Sequence, residues 1–245
     1  MEPSAGKRAG TGRIRHRGAA KRVRNVLPQP APGLIDRSRL IAALDDGAAC
    51  RLIVIAAPNG FGKTSIAAAW ARRLAERGAS IGWVTLDPED DEPNHFVTRV
   101  AEAIASAVPE AEPALETLSG AALVTIDAAI GVLAAALRNA DDDVYLFLDD
   151  VHVLGERVLR DGVGALLRRA PAPFHLILIS RNRHSLPTAT LEAGGRMTEL
   201  DALALRFDLD ETERLISGLR RVPAKRRKCA SSTWQPTAGQ SACAF

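Results

Sequence analysis

Apolar residues along this chain fall into two patterns. Short unbroken runs such as RLIVIAAP, VYLFL and FHLILIS read as strands buried on both faces, because a half-buried strand would alternate apolar with polar. Elsewhere apolar residues recur at helical spacing: Ile66, Trp70 and Leu74 fall at i, i+4 and i+8. In chain order, LIDRSRLIAALDDG predicts a short helix stopping at Gly47, and RLIVIAAP a first strand. A glycine loop follows, then a helix ending at ERG, and SIGWVTLD as a second strand. DPEDDEPNHF reads as a polar loop, and residues 96–108 and 123–137 as helices. DDDVYLFLDD predicts a third strand, VLRDGVGALLRRAP a helix stopped by proline, FHLILISR a fourth strand and MTELDAL a fifth. DLDETERLISGL carries an aspartate N-cap before a helical pattern. Strands alternating with helices imply an α/β fold, a parallel sheet with helices on both faces. No internal repeat is visible.

Charge divides the chain into three parts. Residues 1–27 hold eight Lys/Arg against Glu2, and residues 220–228 hold six Lys/Arg and no acid. Residues 28–219 are left with 18 bases and 28 acids, a net of about −10. The expected organisation is a basic disordered leader over 1–26, one α/β domain over 27–219, and a basic disordered tail over 220–245. The proline-rich LPQPAPG leads into the domain. Basic ends can touch nucleic acid, but these lack the interleaved aromatics of a stacking surface. The three cysteines, Cys50, Cys229 and Cys243, are widely spaced and form no C-x-x-C. That fits a reducing cytoplasm and argues against a zinc site or a disulfide framework. Residues 121–137 are the most apolar long stretch. They are short for a membrane span and carry Asp127, so a buried helix is expected and no membrane partner.

The chemistry concentrates in IVIAAPNGFGKTS, a buried strand running into a glycine loop and then a helix. That is the context of a P-loop NTPase. Glycines let backbone N–H groups turn toward phosphate oxygens, and the helix N-terminus adds its positive dipole there. Ala57 stands where the strict pattern has its first glycine; Gly60, Gly62, Lys63, Thr64 and Ser65 complete the loop. Lys63 would sit by the β/γ-phosphates, and Thr64 would give its hydroxyl to Mg²⁺. A chance G-K-T in a glycine turn would lack the flanking strand and helix. VYLFLDD, a strand ending in two acids, has the Walker B arrangement. Asp149 would hold Mg²⁺ and Asp150 would orient or deprotonate the attacking water. Acids also follow strands as helix N-caps, and the pairing with the loop decides between the two. LILISR ends in Ser180 and Arg181, where open sheets bind ligands. Arg181 would reach a γ-phosphate, or is a surface arginine. His152 packs at the loop; His95, His175 and His184 lack metal-ligand spacing.

APNGFGKTS followed by AAAW, then WVTLDPEDDEPNHF, LFLDDVHVL, LILISRNRHSLPTATLEAGGRMTEL and LRFDLDE resemble, in order, the ATPase domain of the MalT-like, large LuxR-type transcriptional regulators of the STAND class. The resemblance spans roughly residues 26–217, and Ala57 in place of the first glycine is usual in that family. It implies a switch holding ADP when closed and monomeric, with ATP and inducer favouring a self-associating form. It also implies that Lys63 and Thr64 bind phosphate and Mg²⁺, that Asp149 and Asp150 are the Walker B pair, and that Arg181 is the sensor. Arg37, within Ile35-Asp36-Arg37, falls on the adenine side. The family continues into a winged helix, a superhelical sensor and a helix-turn-helix, which this chain lacks, so specific DNA binding by it is not expected. Written in G+C-rich codons and shifted by two bases, STWQPTAGQSACAF permits ADGWPVGLRL, close to the family's GWPAGL segment. The tail therefore reads as a frameshifted end of a longer regulator.

Three functions compete. The first is an ATP/ADP-binding switch domain with slow hydrolysis. The second is a stand-alone P-loop ATPase or phosphotransferase, which needs an acceptor site or lid that the sequence does not display. The third is an inactive fragment with basic ends.

Overall fold

The computed structural model describes residues 26–30, 35–120, 125–183 and 189–221. The expected leader, the tail beyond 221 and His184 lie outside these residues.

Five parallel strands form one sheet in the order β2-β3-β4-β1-β5. They are β1 (Leu52–Ala56), β2 (Ser80–Thr85), β3 (Val144–Asp149), β4 (Phe174–Ser180) and β5 (Met197–Leu200). The α/β expectation holds, and the unbroken apolar runs have a direct cause. Alternate residues of one strand enter different cores. Leu52, Val54, Leu146, Leu148, Leu176 and Leu178 belong to one buried cluster. Ile53, Ile55, Phe147, Ile177 and Ile179 belong to the other.

Helices α1 (Ser38–Asp46) and α2 (Lys63–Glu76) supply Leu40, Leu44, Ile66, Trp70 and Leu74 to the second cluster. Trp70, Trp83, Tyr145 and Phe147 gather there. Trp83 stacks on Phe147 at 5.1 Å, and Trp70 meets Tyr145 and Phe147 edge-on at 5.8 and 5.9 Å. Helices α3 (Pro93–Ala107) and α5 (Ile126–Ala136) pack into the first cluster through Phe96, Val100, Ile104, Ile130 and Leu133. The described part of the long apolar stretch, expected as a buried helix, thus forms α5 in the core. Among the described residues no helix is long and apolar enough to cross a membrane.

Several local expectations change. DPEDDEPNHF is not a plain loop. Pro88–Asp91 forms a 3-10 turn closed by a capping box between Asp87 and Asp90, and α3 starts at Pro93. A helix not among the expected elements, α4, spans Glu112–Gly120. The run over VLRDGVGALLRRAP comprises α6 (Glu156–Val158), a π-helical turn (Leu159–Val163) and α7 (Gly164–Arg169). Gly162 lies on that turn against Phe96; a Cβ there would come within 2.7 Å of Cε1. A short α8 (Ala189–Ala193) precedes β5.

The compact α/β unit closes at Arg206, and a second unit begins at Phe207. It contains α9 (Leu209–Arg221), opened by reciprocal bonds between Asp208 and Glu211. The aspartate cap read from the sequence is therefore present.

Arg51, just before β1, ties the sheet to the end of α7. Its guanidinium donates to Leu167 O at 3.1 and 2.9 Å, to Pro171 O at 2.5 Å and to Ala170 O. These carbonyls have no further helical turn to accept from, and a cation there also complements the helix dipole. Arg51→Met keeps the apolar stem and removes these donors. It should lower the unfolding free energy in urea by about 2 kcal/mol. An unchanged midpoint would show that water replaces the guanidinium without loss.

Candidate functional site

The parallel sheet brings the ends of β1, β3 and β4 to one edge. Ala57, buried directly after β1, donates its N–H to Ser180 O at 3.2 Å. The chain then turns through Gly60 (φ +86°) and Gly62 (φ +78°) into α2. Side chains are strained in that left-handed region, so glycine suits both positions. Ile66 N–H bonds Gly62 O at 2.9 Å, so the helix begins on the loop itself.

Lys63 is 8% exposed and folds back over the loop, donating from Nζ to Pro58 O at 3.0 Å. Burial lowers its pKa, against the opposing pull of Asp149 and Asp150. Ser65 is half-buried in the first turn of α2.

Thr64 Oγ1 donates to Asp149 Oδ1 at 3.2 Å. This contact joins the loop after β1 to the end of β3, two strands that do not pair because β4 lies between them. Asp149 is buried, and that burial, with the charge of Asp150 beside it, pushes its carboxyl up to about 6. The hydroxyl of Thr64, the N–H of Asp150 at 3.0 Å and the charge of Lys63 act in the opposite direction.

Asp150 adopts φ +60°, the one non-glycine residue with positive φ among those described. Aspartate tolerates this conformation better than most residues. The turn separates two adjacent carboxylates: Asp149 stays inside, while the Asp150 side chain is 47% exposed. The environments divide the pair into one buried and one solvent-facing carboxyl.

His152, read from the sequence as loop packing, faces this pair. Its Nδ1 lies 3.7 Å from Asp150 Oδ1 and is buried without a hydrogen-bond partner. Burial, then the charge of Arg181, lowers its pKa, so the ring is neutral near pH 7. The available signal was its position, two residues beyond the acids at the sheet's carboxyl edge.

Arg181 is exposed after β4, and its charge acts on both Lys63 and His152. Arg37 is buried and grips backbone: Leu205 O at 2.7 Å, Arg206 O at 3.1 Å and, at 3.5 Å, Phe61 O in the glycine loop. The other described histidines, His95 and His175, are elsewhere. His95 is exposed on α3, and His175 stacks on Tyr145 at 4.4 Å.

The donor set suits a hard cation beside phosphate. A hydroxyl and a carboxylate oxygen lie within one coordination sphere of each other, next to a lysine and helix N–H groups. Among the described residues no three His, Cys, Asp or Glu side chains group to hold a metal by themselves.

This fold and edge define a P-loop NTPase. The chain belongs to the AAA ATPase domain family, whose pattern matches residues 36–179. It is 34% identical over 212 residues to the serine/threonine-protein kinase PknK of Mycobacterium tuberculosis, covering 83% of this chain and 19% of PknK. It is 31% identical over 178 residues to the HTH-type transcriptional regulator MalT of Yersinia pestis, covering 72% of this chain and 19% of MalT. The chain therefore spans about a fifth of the length of these relatives. The resemblance to MalT-like proteins read from the motifs holds across the sequence. Among solved structures it is similar to a STAND protein with a tetratricopeptide repeat sensor from Pyrococcus horikoshii. That match has TM-score 0.55 and 16% identity, and covers 80% of this chain and 27% of the other. The ORC1 protein of Aeropyrum pernix, solved in complex with DNA, matches with TM-score 0.52 and 17% identity, covering 76% of this chain and 50% of that one. At these identities the two structures speak for the fold alone.

Asp149 makes stability depend on pH. In the unfolded chain it ionises near 3.8, whereas in the fold it keeps its proton to about 6. Its contribution is complete below pH 4 and is lost as pH rises through about 6. The size is on the order of 1–3 kcal/mol. Without nucleotide or magnesium, Asp149→Asn should melt higher than wild type at pH 7, with the gap closing toward pH 4. Parallel melting curves across that range would contradict the buried carboxyl.

Proposed function

We propose that this chain is an ATP/ADP-binding switch domain of a MalT-like regulator, with Mg²⁺ as cofactor. The observation that carries the proposal is the meeting of Thr64 and Asp149 at 3.2 Å beside the Lys63 loop. Backbone N–H groups around Gly60 and Gly62, and those opening α2 through Thr64 and Ser65, bind the phosphates. Ala57 keeps the start of the loop on β4. Lys63 exchanges Pro58 O for phosphate oxygen. Thr64 and Asp149 would hold magnesium, which would offset the charge of the phosphate oxygens.

Asp150, exposed and beside a neutral His152, receives the proton of an attacking water. Arg181 reaches from the end of β4 toward the terminal phosphate, and Arg37 lies on the adenine side of the loop. Hydrolysis is slow in this reading and serves the return to the ADP state, while the ATP state favours self-association. The free Cys50 suits a cytoplasmic setting. The name of MalT supports transcription control as the wider role, and sensing and DNA reading are left to other parts of such proteins.

Calorimetric titration of the full chain with ADP and Mg²⁺ tests the reading. Wild type should bind, and Lys63→Ala should weaken affinity by roughly ten- to a hundredfold, the worth of one charge-assisted bond. Equal affinities would sink it. Turnover of ATP should stay below about one per second, under the range of working enzymes, and fall further in Asp150→Asn.

A further inference from the structure

Arg37 is placed to do more than line a nucleotide pocket. It precedes α1, in the stretch before β1, yet its guanidinium bonds residues far along the sequence. Nη2 donates to Leu205 O at 2.7 Å and to Arg206 O at 3.1 Å, across 168 and 169 residues. Nη1 points at Phe61 O, 3.5 Å away, and lies 3.8 Å from where a Cβ on Gly62 would sit. One buried, planar guanidinium therefore touches the glycine loop on one side and two successive carbonyls on the other.

Those carbonyls occupy a particular place. Residues 201–206 form the turn after β5, closed by Leu205 N–H to Asp201 O at 3.0 Å and Ala204 N–H to Asp201 Oδ1 at 2.8 Å. Arg206 is the last residue of the compact unit, before the chain leaves toward α9. Leu205 is 1% exposed in the apolar cluster that Phe61, Ala202 and Ala204 also join. A second arginine grips the same turn from its outer side. Arg39 donates to Ala204 O and Arg206 O, both at 3.1 Å.

We infer that Arg37 is a positioning residue that couples the glycine loop to the exit turn 201–206, so that phosphate held by the loop steadies the point where the chain departs. The coupling deepens the nucleotide-switch reading and rests on it for its physiological meaning. The physical basis is the fork of the guanidinium. Its donors are fixed in one plane, so a shift of Phe61 O or of the Leu205–Arg206 carbonyls reorients the donors facing the other side. Lysine has a point charge on a flexible stem and cannot transmit such a shift. The linkage is reciprocal by thermodynamics: whatever steadies the exit turn must raise affinity at the loop by the same factor.

Amide hydrogen exchange on the full chain, read by mass spectrometry, tests this in two stages. Without nucleotide, Arg37→Ala should speed exchange about five- to tenfold in peptides covering both 59–66 and 201–206. Arg39→Ala should speed it in 201–206 alone. Peptides from β3 and β4 report whether each variant keeps its core. If Arg37→Ala loses it, Arg37→Lys, which keeps the charge without the fork, should show the same two-sided pattern at lower amplitude. With saturating ADP and Mg²⁺, wild type should slow exchange in 201–206, and the Arg37 variant, saturated at its own measured affinity, should not. Loosening on one side only, or loosening of both sides by Arg39→Ala, would overturn the link. So would ADP binding to wild type with no change in 201–206, which leaves the nucleotide reading intact. Two-sided loosening in a wild type that binds no ADP would instead remove the nucleotide reading and keep the mechanical link.

Discussion

The site depends on one contact, the bond from the Thr64 hydroxyl to the Asp149 carboxylate. Thr64 stands in the first turn after the β1 loop and Asp149 at the end of β3, with β4 between. The contact exists only if three strands run parallel, end level and sit in that order. Register supplies this: Leu148 pairs with Leu178, and Ala56 with Ser180. Burial of both sheet faces fixes the register, since a one-residue slip would move every side chain into the other cluster. The aromatic packing of Trp70, Trp83 and Phe147 therefore bears on chemistry that none of these residues touches.

The same burial gives Asp149 its unusual proton affinity. A carboxylate at a solvated strand end would keep an ordinary pKa. Here it is enclosed, with Asp150 next to it and a hydroxyl and an amide for partners. Such a group is costly to ionise in the bare protein and favoured to ionise beside a cation. The positive φ at Asp150 then turns the neighbouring acid outward, so one dipeptide carries two different environments.

The sheet and the loop were legible because their signals are local. A strand buried on both faces has no polar residue to interrupt it, and a left-handed turn calls for glycine. The helix Glu112–Gly120 had a signal, Ala111, Ala114, Leu115 and Leu118 at i, i+3, i+4 and i+7, but it is short and holds Pro113, and the polar stretch before α3 concealed a capping box. His152 looked ordinary because a lone histidine after two acids has no spacing signature; only the fold shows its ring facing Asp150. Arg37 was placed near the nucleotide by resemblance alone. Its grip on Leu205 and Arg206 depends on tertiary contact across most of the domain, which no window of sequence contains.

The central claim is that Thr64 and Asp149 serve one cation beside bound phosphate. A double-mutant cycle on the magnesium dependence of ADP affinity tests it most directly, with Thr64→Val, Asp149→Asn and the pair together. If one ion bridges both oxygens, each single variant should lose most of the magnesium enhancement and the double variant little more, a strong coupling. Additive losses, or an enhancement surviving in both single variants, would mean that the two side chains meet for structural reasons and that the cation lies elsewhere.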